Sequence, residues 1–393
     1  MEKLFKNYAY VLGMAFIAIW WYAAFSFHHS VELDFFLPQP IDKQTTSQHQ
    51  LSTLAPIVRE TLHKALSGDI ELMTKLIADW DVDAQLLQLT GHKKAARFPH
   101  HKYLRSQVIG RQLLQGNDER NKEKFLPQTY VAASFLLALV HPEQIIALPK
   151  GLRKQQHLFP SQVTEKIPLD IDRYNAETLF LAQPEIAFIA HYCHPALVSA
   201  LKKQDTKLVM LKGTNSIDDI YSDLKLIGAH VDQPLKAEML SLFMEAAMQA
   251  IDNRLLLVQN YLNINQLTQK ILLVNFFNNY SLPSERTLTY QLLHRLGIAD
   301  QYPEHILGKK SDWMFSINNE QLASIDPCCL IITTTKREMA LRNLLKDKAL
   351  AGISAIKERR YFFIDDTVQQ FPSQFIVLAY FDIANALLQA RFL

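Results

Sequence analysis

The segment His191-Tyr192-Cys193-His194 places two imidazoles and a thiol within four residues. Nitrogen and sulfur ligands of this kind suit transition metals and haem iron. His191 and His194 can converge on one ion within a loop, but the chain offers no third ligand at a recognisable spacing. The segment therefore predicts either metal or haem ligation by His191 and His194, or a polar loop that lines a cleft.

Other side chains with binding chemistry follow the apolar runs that we predict as strands. Open α/β sheets bind ligands beyond the carboxyl ends of their strands. Aromatic walls favour a bulky chelate or macrocycle over a bare ion, and cations favour an anionic ligand. The alternative is that half of these aromatic residues belong to the core and that the cationic side chains are solvated surface charges. The predicted ligand-binding residues are Tyr130, Lys150, Arg153, His191, Tyr192, His194, Lys212, Asn215, Phe276, Phe277, Tyr280, Trp313 and Arg337.

Enzyme chemistry has little support in this chain. A P-loop, a Gly-x-Ser-x-Gly elbow, a His-Glu-x-x-His zinc motif and a dinucleotide fingerprint are all absent from the sequence. Cys193 and His194 are adjacent, and adjacent residues rarely form a working nucleophile and base. The net charge of +2 over 393 residues offers no basic field for nucleic acid. We expect no catalytic residues, no cofactor and no nucleic-acid partner.

The elements that must position these residues follow from the hydrophobic pattern after residue 118. Short apolar runs such as IIALP, EIAFIA, KLVML and CLIITTT alternate with helical segments. This alternation predicts parallel sheets with helices on both faces. From about Leu235 to Leu262 no glycine or proline interrupts a helical stretch of about 40 Å. We therefore predict an α/β fold with two lobes joined by one long helix.

The part of the chain before residue 118 has a different character. The uncharged run from Tyr8 to Phe27 is long enough to span a bilayer, and Lys3 and Lys6 favour an exported remainder. We expect an uncleaved transmembrane anchor, with a cleaved signal peptide as the alternative. A polar linker and a helical segment follow. The basic stretch Gly91 to Arg105 is interpreted as a solvated loop or, alternatively, as a contact with lipid headgroups.

Several local patterns add to this order of segments. They are TYVAASFLLALVHPEQIIALP (Thr129 to Pro149), YNAETLFLAQPEIAFIA (Tyr174 to Ala190), NNEQLASIDPCCLIIT (Asn318 to Thr333) and LAGISAIKERRYFFID (Leu350 to Asp365). In this order the patterns resemble the class III periplasmic substrate-binding proteins of ABC importers, which serve iron-siderophores, haem and cobalamin. One departure is Glu185, which stands where that family usually has aspartate.

The resemblance implies two α/β lobes that hold a ligand between them. It also implies one surface glutamate per lobe that docks into the permease, and these positions correspond to Glu177 and Glu320. The alternative for both is an ordinary first-turn helix glutamate. The expected domains are an anchor or signal segment (1–30), a linker with an extra helical segment (31–118), the first lobe (119–230), the linking helix (231–265) and the second lobe (266–393).

The function implied by the resemblance is capture of a metal chelate, such as a ferric siderophore, or of a corrinoid for import. The partners would be an ABC permease dimer in the inner membrane and the membrane itself, with the protein anchored in the periplasm. Two alternatives stay open. One is a haem or divalent-metal receptor that uses His191 and His194, and the other is a scaffold that keeps the fold without transport.

Overall fold

The computed structural model describes residues 48–116, 123–171, 183–213, 215–261, 271–299, 314–366 and 372–392. The predicted anchor from Tyr8 to Phe27 lies outside these residues, as do Glu177 and Trp313. Within the described ranges, no helix has the length and apolar character needed to cross a membrane. The chain divides after Val58, and every contact discussed below belongs to the unit Arg59–Leu393.

Three helices precede the first lobe: α1 (Gln48–Leu66), α2 (Ile70–Leu89) and α3 (His100–Gln115). The loop predicted for Gly91 to Arg105 is therefore wrong from His100 onward. Lys102 pairs with Glu245 at 2.5 Å and Arg105 pairs with Glu238 at 2.6 Å. Both glutamates belong to the linking helix, so these two cations are held by protein carboxylates rather than by lipid headgroups.

The first lobe is built on short parallel strands. Its elements are β1 (Phe125–Pro127), α4 (Tyr130–Leu139), β2 (Ala147–Pro149), α5 (Ser161–Thr164), β3 (Leu169–Ile171), β4 (Ile186–Ile189), α6 (Pro195–Lys202), β5 (Lys207–Met210) and α7 (Ile217–His230). One parallel sheet has the order β1-β4-β5, and β2 pairs with β3 beside it. β1 and β4 are fully buried, which explains their unbroken apolar sequences. β1 ends at Pro127, and the hydroxyl of Thr129 then caps α4 by accepting from the amide of Ala132 at 3.1 Å.

The linking helix α8 (Pro234–Tyr261) confirms the predicted long helix. It packs against α2, α3 and α7. Gly228 permits a close approach between α7 and α8, since a Cβ atom there would lie 2.3 Å from the Cβ atom of Ala237. The 28 residues of the linking helix α8 span about 42 Å.

The second lobe contains a five-stranded sheet of mixed direction, in the order β10-β9-β6-β7-β8. Its elements are β6 (Ile271–Phe276), β7 (Tyr280–Pro283), α9 (Leu288–Arg295), β8 (Met314–Ile317), α10 (Asn319–Ile325), β9 (Cys329–Thr333), α11 (Arg337–Lys346), α12 (Ser354–Lys357), β10 (Tyr361–Ile364) and α13 (Ile376–Phe392). β6, β9 and β10 are parallel, whereas β7 and β8 are antiparallel to their neighbours. The antiparallel extension was not predicted, because YSLP and MFSI are too short to stand out by periodicity. The predicted α/β fold of two lobes joined by one helix is confirmed.

Candidate functional site

The histidine-rich segment follows the carboxyl end of β4 and lies at the protein surface. His191, Tyr192 and His194 are exposed, with 68% of Tyr192 accessible. The rings of His191 and Tyr192 meet edge to face with their centroids 5.2 Å apart. The amide of Ala190 donates to Sγ of Cys193 at 3.2 Å, which holds the turn closed. The chain therefore offers two imidazoles and a phenol on one tight turn.

Metal ligation by this turn has limited support from the geometry. Nδ1 of His194 accepts from the amide of Ala196 at 3.3 Å and so caps α6. Among the described residues, no group of three or more histidine, cysteine, aspartate or glutamate side chains is placed to hold a metal ion. A metal bound here would need its remaining ligands from its own chelator.

The loops after β2 and β5 bring two lysines to the same edge of the first lobe. Lys150 and Lys212 are both exposed. Tyr130 is half-buried, its hydroxyl donates to the carbonyl of Lys150, and burial raises its pKa. The amide of Lys212 donates to Asp223 at 3.2 Å, and Asp223 is buried, which raises the pKa of its carboxyl group. Both lysine backbones are thus fixed, and both residues are exposed at the surface.

Arg153 is placed differently from the other predicted ligand residues. Its guanidinium donates to the carbonyls of Thr164 and Ile167, the latter at 2.6 Å, and pairs with Asp170 at 2.7 Å. These bonds tie the loop after β2 to the segment that leads into β3. The side chain therefore stabilises the first lobe, and its donors are already engaged.

At the carboxyl edge of the second-lobe sheet, fewer of the predicted ligand residues are exposed than in the first lobe. Phe276 and Tyr280, predicted to line the cleft, are 2% and 1% exposed and belong to the core. Phe277 is 58% exposed, and Nζ of Lys336 lies 3.7 Å from its ring centroid. This lysine lies in the loop that follows β9 and also donates to Oδ1 of Asn278 at 3.0 Å.

A buried polar network lies beneath this edge. The amide nitrogen of Asn275 donates to Asp366 at 2.9 Å and to Thr333 at 3.2 Å. Thr333 and Asp366 are buried, at 0% and 4% exposure. The network joins the ends of β6, β9 and β10, so the floor of the second-lobe edge is held rigidly. It was not predicted, because its partners are far apart in the chain.

The two lobes approach each other at several points. Nε2 of His157, in the loop after β2, lies 3.6 Å from Asp365 at the end of β10. The predicted ligand residue Asn215 instead accepts through its carbonyl from Gln291 of α9 at 2.8 Å. These contacts set the carboxyl edges of the two sheets opposite each other, as a cleft between the lobes requires.

Two predicted residues lie elsewhere in the second lobe. Glu320 is exposed in the first turn of α10 and is accessible to a partner. Arg337 is exposed at the start of α11, with its guanidinium 5.6 Å from the ring of Phe363 on β10.

Comparison with known proteins agrees with this arrangement. A family model described as periplasmic binding protein matches residues 154–368, which is more than half of the chain. None of the curated proteins compared matches the sequence.

Solved structures share the fold. A possible iron-binding periplasmic solute-binding protein from Staphylococcus epidermidis is 18% identical with a TM-score of 0.52, over 68% of this chain and 99% of that chain. The haem-binding protein RhuT from Roseiflexus is 15% identical with a TM-score of 0.54, over 69% and 100%. The triscatecholate siderophore-binding protein FeuA from Bacillus subtilis is 14% identical with a TM-score of 0.50, over 69% and 93%. With its two lobes and the matching family model, the chain belongs to the periplasmic binding protein family.

Proposed function

We propose that the protein captures a ferric siderophore or a corrinoid between its lobes, outside the cytoplasm, and delivers it to an ABC importer. Solute binding outside the cytoplasm is the role of its family. The observation that carries the proposal is the first-lobe edge, where Lys150, Lys212 and Tyr192 are exposed just after the carboxyl ends of β2, β5 and β4. Two exposed lysines and an accessible aromatic ring suit a bulky anionic chelate better than a bare cation.

The second lobe contributes a smaller set of contacts in this proposal. Lys336 and Phe277 form a cation–π pair at its exposed edge, with 3.7 Å between the ammonium nitrogen and the ring centroid. A flat ligand surface would cover Phe277, and an anionic group would reach Lys336. The buried network of Asn275 and Asp366 would keep this surface in place, so that the binding face is largely preformed.

Delivery would require docking to the permease dimer through one carboxylate on each lobe. Glu320 is the second-lobe candidate, since it is exposed on a helix that is fixed by a capping box at Asn318. Glu177 would be its first-lobe counterpart. A charge-assisted pair on each lobe would set the orientation of the binding protein on the permease. Tethering to the inner membrane would follow from the apolar run of Tyr8 to Phe27.

The proposal is tested by titrating the protein with ferric hydroxamate and ferric catecholate siderophores, cobalamin and haemin, while intrinsic fluorescence is recorded. We expect saturable quenching with submicromolar affinity for one ferric siderophore or for cobalamin. Substituting Lys150 and Lys212 by glutamate should weaken binding of an anionic chelate, whereas Lys203→Glu, at the other end of the lobe, should not. No response to any of these ligands would favour a scaffold without transport function.

Haem is the second candidate ligand, and the exposed pair His191 and His194 favours it. Tyr192, between them, would add a phenolate ligand. Haemin binding through an imidazole would give a Soret band that shifts when His191 and His194 are both replaced by alanine. A chelate that brings its own complete ligand set would be bound equally well by that double variant. This measurement separates the two ligands without relying on affinity alone.

A further inference from the structure

β10 lies at one end of the second-lobe sheet, and among the described residues no strand pairs with its outer side. The amide of Thr334 donates to the carbonyl of Ile364 at 2.9 Å, so the backbone of Ile364 faces β9. Backbone groups alternate in direction along a strand. The N–H and C=O groups of Tyr361 and Phe363 therefore point away from the sheet.

A groove of about 610 Å³ follows this outer side of β10. Arg337 and Leu341 of α11 line it, and Asn385 and Gln389 of α13 also contribute, together with Arg59 of α1. All four residues of β10 border the groove, rather than its carboxyl end alone. The groove begins at His157 and Asp365, where the two lobes meet, and continues along the whole length of β10.

The exposed edge has an unusual composition for an unpaired strand. Tyr361, Phe362 and Phe363 are only half-buried, and β10 contains no charged residue and no proline. Proteins commonly protect a free edge with such residues, or cover it with another segment. At about 3.3 Å per residue, the four residues of β10 offer about 13 Å of edge. That length suits a short extended peptide.

Charges within the groove indicate what that peptide should carry. Arg59 donates to both carboxylate oxygens of Asp382 at 3.1 Å, and Asp365 lies 3.6 Å from His157. The guanidinium carbon of Arg337 lies 5.6 Å from the ring centroid of Phe363, and among the described residues Arg337 pairs with no carboxylate. The guanidinium of Arg337 thus remains available for an incoming anionic group.

We propose that the groove beside β10 binds a short extended peptide segment by strand addition, with one peptide carboxylate on Arg337. Main-chain hydrogen bonds to Tyr361 and Phe363 would supply affinity, and the aromatic side chains would select apolar residues. The proposal concerns the edge of β10 and goes beyond the solute binding proposed for the cleft.

The test uses the full-length protein and three fluorescein-labelled pentapeptides of alternating valine and threonine, amidated at the carboxyl end, with a single glutamate at the second, third or fourth position. Fluorescence anisotropy should show saturable binding of at least one peptide. Replacing its glutamate by lysine, or methylating alternate peptide nitrogens, should each weaken binding about tenfold or more. Equal binding of the N-methylated peptide would overturn strand addition, as would absence of binding by all three peptides.

Two protein variants give the reciprocal test. Arg337→Glu should weaken the glutamate peptide at least tenfold and improve binding of the lysine peptide. Phe363→Pro removes an outward N–H group at a position where an edge strand tolerates proline, and it should abolish binding. If Phe363→Pro fails to fold, Arg337→Glu and the N-methylated peptide still decide the question. Competition by succinate as effective as by the unlabelled peptide would indicate a simple anion site and would overturn the proposal.

Discussion

The carboxyl edges of the two lobes face each other but are built differently. In the first lobe the strand ends lead into exposed side chains, with Lys150, His191 and Lys212 in solvent. In the second lobe Phe276 and Thr333 occupy the corresponding strand ends and are buried. The difference suggests a division of labour in which the first lobe supplies most of the recognition and the second supplies a rigid opposing surface.

Sheet direction gives a physical reason for this difference. The first-lobe sheets are entirely parallel, so several of their loops open at one edge. In the second lobe, β6 turns directly into β7, and the antiparallel pair joins Phe276 to Tyr280. This hairpin closes the strand end, and the ring centroids of these two residues lie 5.0 Å apart in the core. In the turn itself, Phe277 remains exposed, as do Asn278 and Asn279.

The largest expected effect contrasts the neighbours Phe276 and Phe277. Phe276→Ala should lower the free energy of unfolding by about 4 kcal/mol, because it leaves a cavity in the core. Phe277→Ala removes an exposed ring and should change it by about 0.5 kcal/mol or less. Urea denaturation of the two variants measures both values. Similar losses for the two would contradict the closed second-lobe edge.

The buried network provides the next test of rigidity. Asn275→Leu removes the amide that donates to Asp366 and Thr333, and should cost about 2–3 kcal/mol in unfolding free energy. Asn278→Leu makes the same chemical change at an exposed position and serves as the matched control. If both variants were equally stable in urea, the network would not hold the second-lobe edge.

A smaller effect, on ligand affinity, is expected when the exposed lysines of the first lobe are replaced. Replacing both Lys150 and Lys212 by glutamate should weaken binding of an anionic ferric siderophore about tenfold or more, and the loss should diminish as salt is raised. Unfolding free energy should stay within about 0.5 kcal/mol of the original protein. Isothermal titration at two salt concentrations, with Lys203→Glu as control, measures this. Unchanged affinity would contradict the proposed role of the first lobe in recognising the ligand.

The smallest effect should come from the second-lobe cation. Lys336→Ala removes the contact with Phe277 and the bond to Asn278, both at the surface, so affinity should fall only about threefold, in line with an exposed cation–π pair. The same titration compares it directly with the first-lobe variant. A larger loss for Lys336→Ala than for the lysine pair would reverse the proposed division of labour.

Much of the fold could be predicted because the responsible signals are local. Buried parallel strands read as short apolar runs, and the linking helix reads as a long stretch without glycine or proline. These signals predicted the two lobes and the loops that reach the cleft. They did not distinguish Phe276 from Phe277, since both follow the same apolar run.

What the sequence by itself determined is therefore the order of elements and the set of residues near the strand ends. The tertiary structure alone decided which of them remain available. Arg153 is engaged by backbone carbonyls, Arg105 meets Glu238 across 133 residues of chain, and Asn275 meets Asp366 across 91. Such partners are fixed by packing between distant segments, and a local hydrophobic pattern contains no information about which distant carboxylate or carbonyl will lie within hydrogen-bond reach.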